Sequence, residues 1–247
     1  MDLKTFLRNI TQKEKKKMNK IFIDKENVIE IKDNAVALEI NSTELTINVK
    51  GKVLIQEISK KSNETLNLTI NIEPNSSLIY NRFMIHDKID NKITLNQQNN
   101  SSAIFNYSFI ANNKCNLILN SNLNGDNNET EIKVKAVTEN LGSTNITSTA
   151  DTKPKILNNN LLESIKILML NDEESVCVPN LLVSSNEVEV DHAATISGID
   201  ENYLFYLNSK GISTVSATKL IKNGYLLSNL DINGKIKEQI TELIGGE

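Results

Sequence analysis

An all-β body followed by a small helical appendage is the architecture this sequence predicts, and three observations carry it. From about Val28 to Val190, short runs alternate apolar with polar residues: LTINV at Leu45–Val49, LNLTINI at Leu66–Ile72, IFNYSF at Ile104–Phe109 and EIKVKAV at Glu131–Val137. A period of two is the mark of half-buried strands. Between the runs lie PNSS, QQNNSS and NGDNN, clusters of residues that favour turns. Only after Ser197 does the apolar period change to that of a helix.

Residues 1–19 mix both charges and contain KEKKK, and they read as a short helical or frayed segment. They hold no apolar stretch of the kind a secretory signal or a membrane span needs, so a cytoplasmic protein is expected. The strand-rich body follows from about residue 20 to 198. Alternation alone leaves sandwich, barrel and solenoid open. Strands starting near Leu45, Leu66, Ile93, Cys115 and Glu131 recur at roughly twenty-residue intervals, in the range of stacked repeats. The abundant Asn suits the corners of a coil, because it tolerates left-handed backbone and stacks in ladders. From 199 to 247 three amphipathic helices are predicted. Asp200 caps the first, which carries Tyr203, Leu204 and Leu207 and stops at Gly211; Ser213 caps the second, with Ala217, Leu220 and Ile221, ending at Gly224; the third starts near Asp231 and carries Ile236, Ile240, Leu243 and Ile244. Such short helices need a surface to dock on, whether the β body, a partner or both.

Composition removes several function classes. The net charge of -4 and the scatter of Lys and Arg give no footprint for nucleic acid. Aromatic residues make up 4% of the chain and Trp is absent, which leaves little to stack on bases or sugars and argues against a carbohydrate-active β-helix. No GxxxxGK[ST] phosphate loop occurs. Cys115 and Cys177 stand far apart without CxxC spacing; Cys115 reads as core packing. His86, with Asp87 and Asp90 after it, reads as a surface residue.

The stretch DHAATISGIDENYLFYLNSKGIS, continued by ATKLIKNGY, resembles the C-terminal core signature of the SufB/SufD family: a His before a run of small residues, an acidic residue, LFYL, RGIS and A…LI..GF. The close likeness runs from about Ile167 to Tyr225. It implies a right-handed parallel β-helix with terminal helices, serving as a non-catalytic scaffold of SUF iron–sulfur cluster assembly. It further implies a SufC-type ABC ATPase held on the C-terminal helices, through Tyr203, Leu204, Leu207, Leu220 and Ile221. Pairing through the β-helix is implied too, as a homodimer or with a SufB-like chain. By the same resemblance, the position of the SufB cluster-building cysteine falls on Ser164, and the glutamate after the shared histidine is replaced by Ala193, which makes the chain closer to SufD. His192 is kept. It is the candidate ligand for a transient iron–sulfur cluster, its second nitrogen oriented by a neighbour such as Asp191. Cys177, fifteen residues earlier, is the candidate second ligand if the two face the same side. A subunit that clamps the ATPase and never touches metal is the competing reading.

Overall fold

A computed structural model describes residues 18–25 and 27–245; the expected N-terminal helical segment lies outside them. Thirteen strands wind into a right-handed parallel solenoid. One sheet runs β1 (Asn19–Ile23), β3 (Ala35–Ile40), the first half of β5 (Lys52–Ile72), the first half of β6 (Ser77–Gln97), β7 (Ser102–Ala111), β9 (Glu129–Thr138), β11 (Leu157–Met169) and β13 (Glu187–Ser197). The facing sheet holds β2 (Val28–Lys32), β4 (Glu44–Lys50), the second halves of β5 and β6, β8 (Lys114–Leu123), β10 (Ser143–Thr152) and β12 (Val176–Val183). Closure into a coil is the point that alternation left open, and the parallel register between successive turns decides it.

Alternation becomes a lumen. Inward residues of successive coils stack in columns, for example Leu45, Leu68, Ile93 and Leu119 on the second sheet, all essentially buried. The twenty-residue spacing holds only early, as in the Lys50–Glu30 contact. Later coils lengthen to a separation of 25 residues, as between Ser77 and Ser102, and then 31, as between Asn128 and Asn159. The sequence reading also mixed the two sheets, because Glu131 belongs to the first and Leu45 to the second.

Asparagine does what its chemistry allows. Asn75, Asn100, Asn127, Asn140 and Asn158 all take φ between 54° and 60° at the corners. The Asn127 amide donates to Asn100 at 3.0 Å and that of Asn158 to Asn127 at 3.1 Å. On the second sheet's outer face a further ladder links Asn48, Asn71, Asn96 and Asn122 at 2.8–2.9 Å.

The helices are α1 (Glu201–Ser209), α2 (Thr214–Leu227) and α3 (Gly234–Gly245). Asp200 and Ser213 cap the first two, accepting from Asn202 and Ser216, and Gly211 ends α1 at φ 82°. Two boundaries differ from expectation. Helix α2 runs through Gly224 to Leu227, because Leu226 is buried against the body and that packing outweighs one poor helix former. Helix α3 starts later: the Asn233 side chain accepts from Ile236, while Asp231 uses its backbone to bond Asn81. Helices α2 and α3 cover the outer face of the first sheet, where Phe83, Ile85, Ile110, Val137 and Leu168 meet Leu226, Ile240 and Ile244. Asn229 fixes this docking by donating to the carbonyls of Tyr107 and Lys133 at 3.0 and 3.1 Å.

One cluster breaks the apolar lumen. Arg82, fully buried, bonds Glu57 at 2.9 Å and Glu64 at 2.8 Å, and its guanidinium lies 5.1 Å from the centre of the Tyr107 ring. Tyr80 donates to Glu57 at 2.5 Å and Asn91 to Glu64 at 2.6 Å. Burial raises the Glu57 carboxyl above its ordinary range despite the adjacent Arg82. Three coils and both sheets are tied together by these side chains. Arg82→Met leaves two buried carboxylates without a counter-charge and is expected to cost about 3–5 kcal/mol in urea unfolding. The triple variant that also carries Glu57→Gln and Glu64→Gln should recover most of that loss.

Candidate functional site

The C-terminal end of the solenoid is where most of the singled-out residues fall. Strand β12 pairs with β10, and β13 with β11; neither has a strand on its other edge among the described residues. Val176, Val178, Leu181, Leu182, Val183 and Ile196 of this last coil are exposed. An uncovered edge flanked by apolar side chains is a surface made for pairing.

His192 points into the lumen on β13. Register places it directly above Glu163 of β11, and Glu163 in turn above Ile132. The His192 Nδ1 is 4.0 Å from the Glu163 Oε1, with the two side chains 11% and 1% exposed. Among the described residues neither ring nitrogen of His192 has a hydrogen-bond partner, and the group that supports the Glu163 carboxylate from the opposite sheet is the Ser148 hydroxyl. Burial pushes the Glu163 carboxyl above its usual range; Ser148, reaching from the opposite sheet, and His192 offset part of this. Asp191, expected to orient the imidazole, is exposed on the outer face, opposite Leu162. The period of two puts neighbours in sequence on opposite sides of a strand, so the acid that faces His192 comes from the coil below.

The same parity sorts the remaining candidates. Ser164 and Ala193 pair with one another on the outer face, away from the imidazole. Cys177 stacks on Ile146 and so faces the lumen, but from the other sheet. Burial, and then the nearby Glu163, push its thiol up to about 11. Among the described residues no three His, Cys, Asp or Glu side chains converge as a metal-holding group. Glu163 and Ser148 were missed by sequence reasoning. Their signal was present as polar residues at inward positions of β11 and β10, legible only once the register is known.

Cys115 is buried in the core as expected, its thiol pushed up to about 11 by burial. His86 is not a surface residue: it is buried and turned inward, with Nε2 3.3 Å from the Ser59 hydroxyl, whereas Asp87 and Asp90 are exposed. The alternation that runs through RFMIHDKID explains the split, His86 sharing the parity of buried Arg82 and Met84.

Helix α1 buries none of its residues. Tyr203, Phe205 and Tyr206 are exposed, with Val215 and Leu220 of α2 exposed as well. Leu204 and Leu207 are half-buried, and Ile221 packs on the body. Among the described residues no helix is long and apolar enough to cross a membrane.

Comparison with known proteins bears on this end of the chain. Residues 12–225 match the family described as "SUF system FeS cluster assembly, SufBD core domain". An iron-sulfur cluster assembly SufBD family protein of Staphylococcus aureus (strain USA300) is 32% identical over 65 residues, 26% of this chain and 14% of that protein. The iron-sulfur cluster assembly protein SufD of Bacillus subtilis (strain 168) is 32% identical over 89 residues, 34% of this chain and 20% of that one. The matched stretches thus span a fifth or less of either relative.

A pH measurement checks the placement of His86. Burial lowers its pKa from 6.5 to about 4. A depressed histidine adds stability that is complete above its unfolded pKa and is lost as pH falls from about 6.5 toward 4. Wild-type protein should lose on the order of 2 kcal/mol through this group across that window. The His86→Gln variant should lack that component of the slope in urea unfolding.

Proposed function

The chain belongs to the SufBD family of the SUF iron–sulfur cluster assembly system, and on that premise we propose that it is the non-ATPase scaffold subunit of such a complex. It holds a SufC-type ABC ATPase on its helical end. It pairs through its last coil with a second copy of itself or with a SufB-like chain. It is cytoplasmic, and ATP hydrolysis belongs to the partner.

The observation that supports this reading best is the exposure of Tyr203, Phe205, Tyr206, Val215 and Leu220 on the helical end. Helices α2 and α3 spend their apolar faces on the solenoid, while α1 buries nothing, so the helical subdomain has one side docked and one side free. Exposed aromatic residues on a rigid helix are the usual anchors of a protein interface. Of the five residues the family resemblance assigns to the ATPase, Tyr203 and Leu220 sit on the free side. Phe205, Tyr206 and Val215 are exposed as well, while Ile221 packs on the body.

Iron and the nascent cluster are cargo in this reading. His192 is the imidazole donor and Cys177 the second donor, a role in which the metal must displace a thiol proton that burial holds tightly. Ser164 is inert, since its hydroxyl stays protonated and it lies on the outer face. The His192 imidazole, with both nitrogens unpaired among the described residues beside an uncovered edge, favours cargo contact over a purely structural clamp.

Co-expression with a SufC-type ATPase tests the scaffold role. Wild-type chain should co-purify with it, and the combination Tyr203→Ser, Phe205→Ser and Leu220→Ser should weaken association at least roughly hundredfold, since each anchor is worth about 1–2 kcal/mol or more. All three positions are exposed, so the solenoid keeps its circular dichroism. Full binding by the triple variant contradicts the assignment. Removal of the whole helical end is a poorer test, because it uncovers Phe83, Ile85 and Ile110.

A further inference from the structure

Beside helix α2, the outer face of the first sheet carries a small grid of ammonium and hydroxyl groups. Lys133 of β9 faces Ser164 of β11, and two residues on, Lys135 faces Lys166, which in turn faces Thr195 of β13. Neighbouring strands lie about 4.8 Å apart, and alternate residues of one strand about 6.6 Å. Two lysines therefore stand side by side on adjacent strands, an arrangement that costs stability unless an opposite charge lies close.

Other lysines on the solenoid have that opposite charge. Lys32 faces Lys50 in the same way on the second sheet, but Lys50 bonds Glu30 at 2.6 Å and Glu73 at 3.3 Å. Lys133 bonds Glu131. Among the described residues no carboxylate lies within ion-pair reach of Lys135 or Lys166. Burial, then the charges of Lys166 and Lys133, lower the pKa of Lys135. Its position is nevertheless fixed: Nζ donates to the Ser228 hydroxyl at 2.7 Å and lies 4.8 Å from the centre of the Tyr225 ring. Lys166 and Thr195 are exposed, so the grid is open to solvent on the side away from α2.

We propose that Lys135 and Lys166 bind a phosphate group on this outer face, with the Ser164 and Thr195 hydroxyls as neighbouring donors. The site does not rest on the scaffold reading.

Charge selects the class of ligand. Glu131 already balances Lys133, which leaves the two positive charges of Lys135 and Lys166. Ser228 is the C-cap of α2, and a helix C-terminus offsets only about half a charge. A phosphate group near pH 7 carries about -1.5 to -2 and several acceptor oxygens, which matches the remainder; a single carboxylate falls short. Lysine acts on phosphate as a point charge with rotatable donors, so the grid needs no planar fork of the kind arginine supplies. The whole chain is acidic, at net charge -4, and only a local surplus of this kind draws an anion to it.

Calorimetric titration of the full-length chain with orthophosphate, and separately with AMP, at pH 7 and constant ionic strength tests the proposal. Wild-type protein should show one saturable site per chain. Lys166→Gln should weaken it about threefold or more, and the double variant Lys135→Gln, Lys166→Gln should abolish it. Lys92→Gln, which alters an exposed lysine on the second sheet, should bind as wild type does. In urea unfolding, phosphate should raise the midpoint of wild type and leave that of Lys166→Glu unmoved. Equal binding of orthophosphate and AMP assigns the site to free phosphate, and tighter binding of AMP assigns it to a phosphate ester. Heat that fails to saturate with either ligand overturns the proposal, as does Lys166→Gln binding as tightly as wild type.

Discussion

A parallel coil satisfies its backbone only against the coils on either side, so a solenoid cannot end on itself. Everything else in this molecule follows from that constraint. Within the stack it is met by unbroken parallel ladders, with asparagine side chains repeating the backbone pattern at the corners and on the outer face. At the C-terminal end it is not met among the described residues: β12 and β13 present an edge without a strand, lined by exposed Val, Leu and Ile. The chain does not blunt this edge with its own helices, which lie on the flat outer face of the first sheet instead.

The lumen tells the same story in its polar residues. Deep in the stack, Arg82 joins Glu57, Glu64, Tyr80, Tyr107 and Asn91 in a network of ion pairs and hydrogen bonds across three coils. Such a network gives less net stability than an apolar core of equal volume, but it permits a single alignment of three coils. Near the open end Glu163, His192 and Ser148 occupy inward positions too, with Ser148 and His192 offsetting part of the cost of burying the Glu163 carboxylate.

Much of this was legible in the sequence, and the exceptions share one cause. Strands, helix caps at Asp200 and Ser213, the Gly211 stop and asparagine at the corners all depend on local chemistry, and all are found where the residues place them. The resemblance carried by DHAATISGIDENYLFYL reached the family that residues 12–225 match. What could not be read was register. Sequence neighbours made Asp191 the natural companion of His192, and closeness in sequence made His86, Asp87 and Asp90 look alike. The pleat turns adjacent side chains to opposite faces, so the true companion of His192 is Glu163, one coil away, and His86 is buried while the aspartates are not. The run of helix α2 through Gly224 was hidden for a related reason, since the packing of Leu226 on the sheet is a tertiary fact.

The account stands on the claim that another chain covers the last coil. Hydrogen exchange of the β12 and β13 amides that do not donate to β10 and β11 measures this directly. The account predicts slow exchange in these amides that strengthens with protein concentration, or on adding a SufB-like chain, while the β6 and β7 ladders stay protected throughout. Rapid exchange of the β12 and β13 edge at every concentration, with or without that chain, would contradict it.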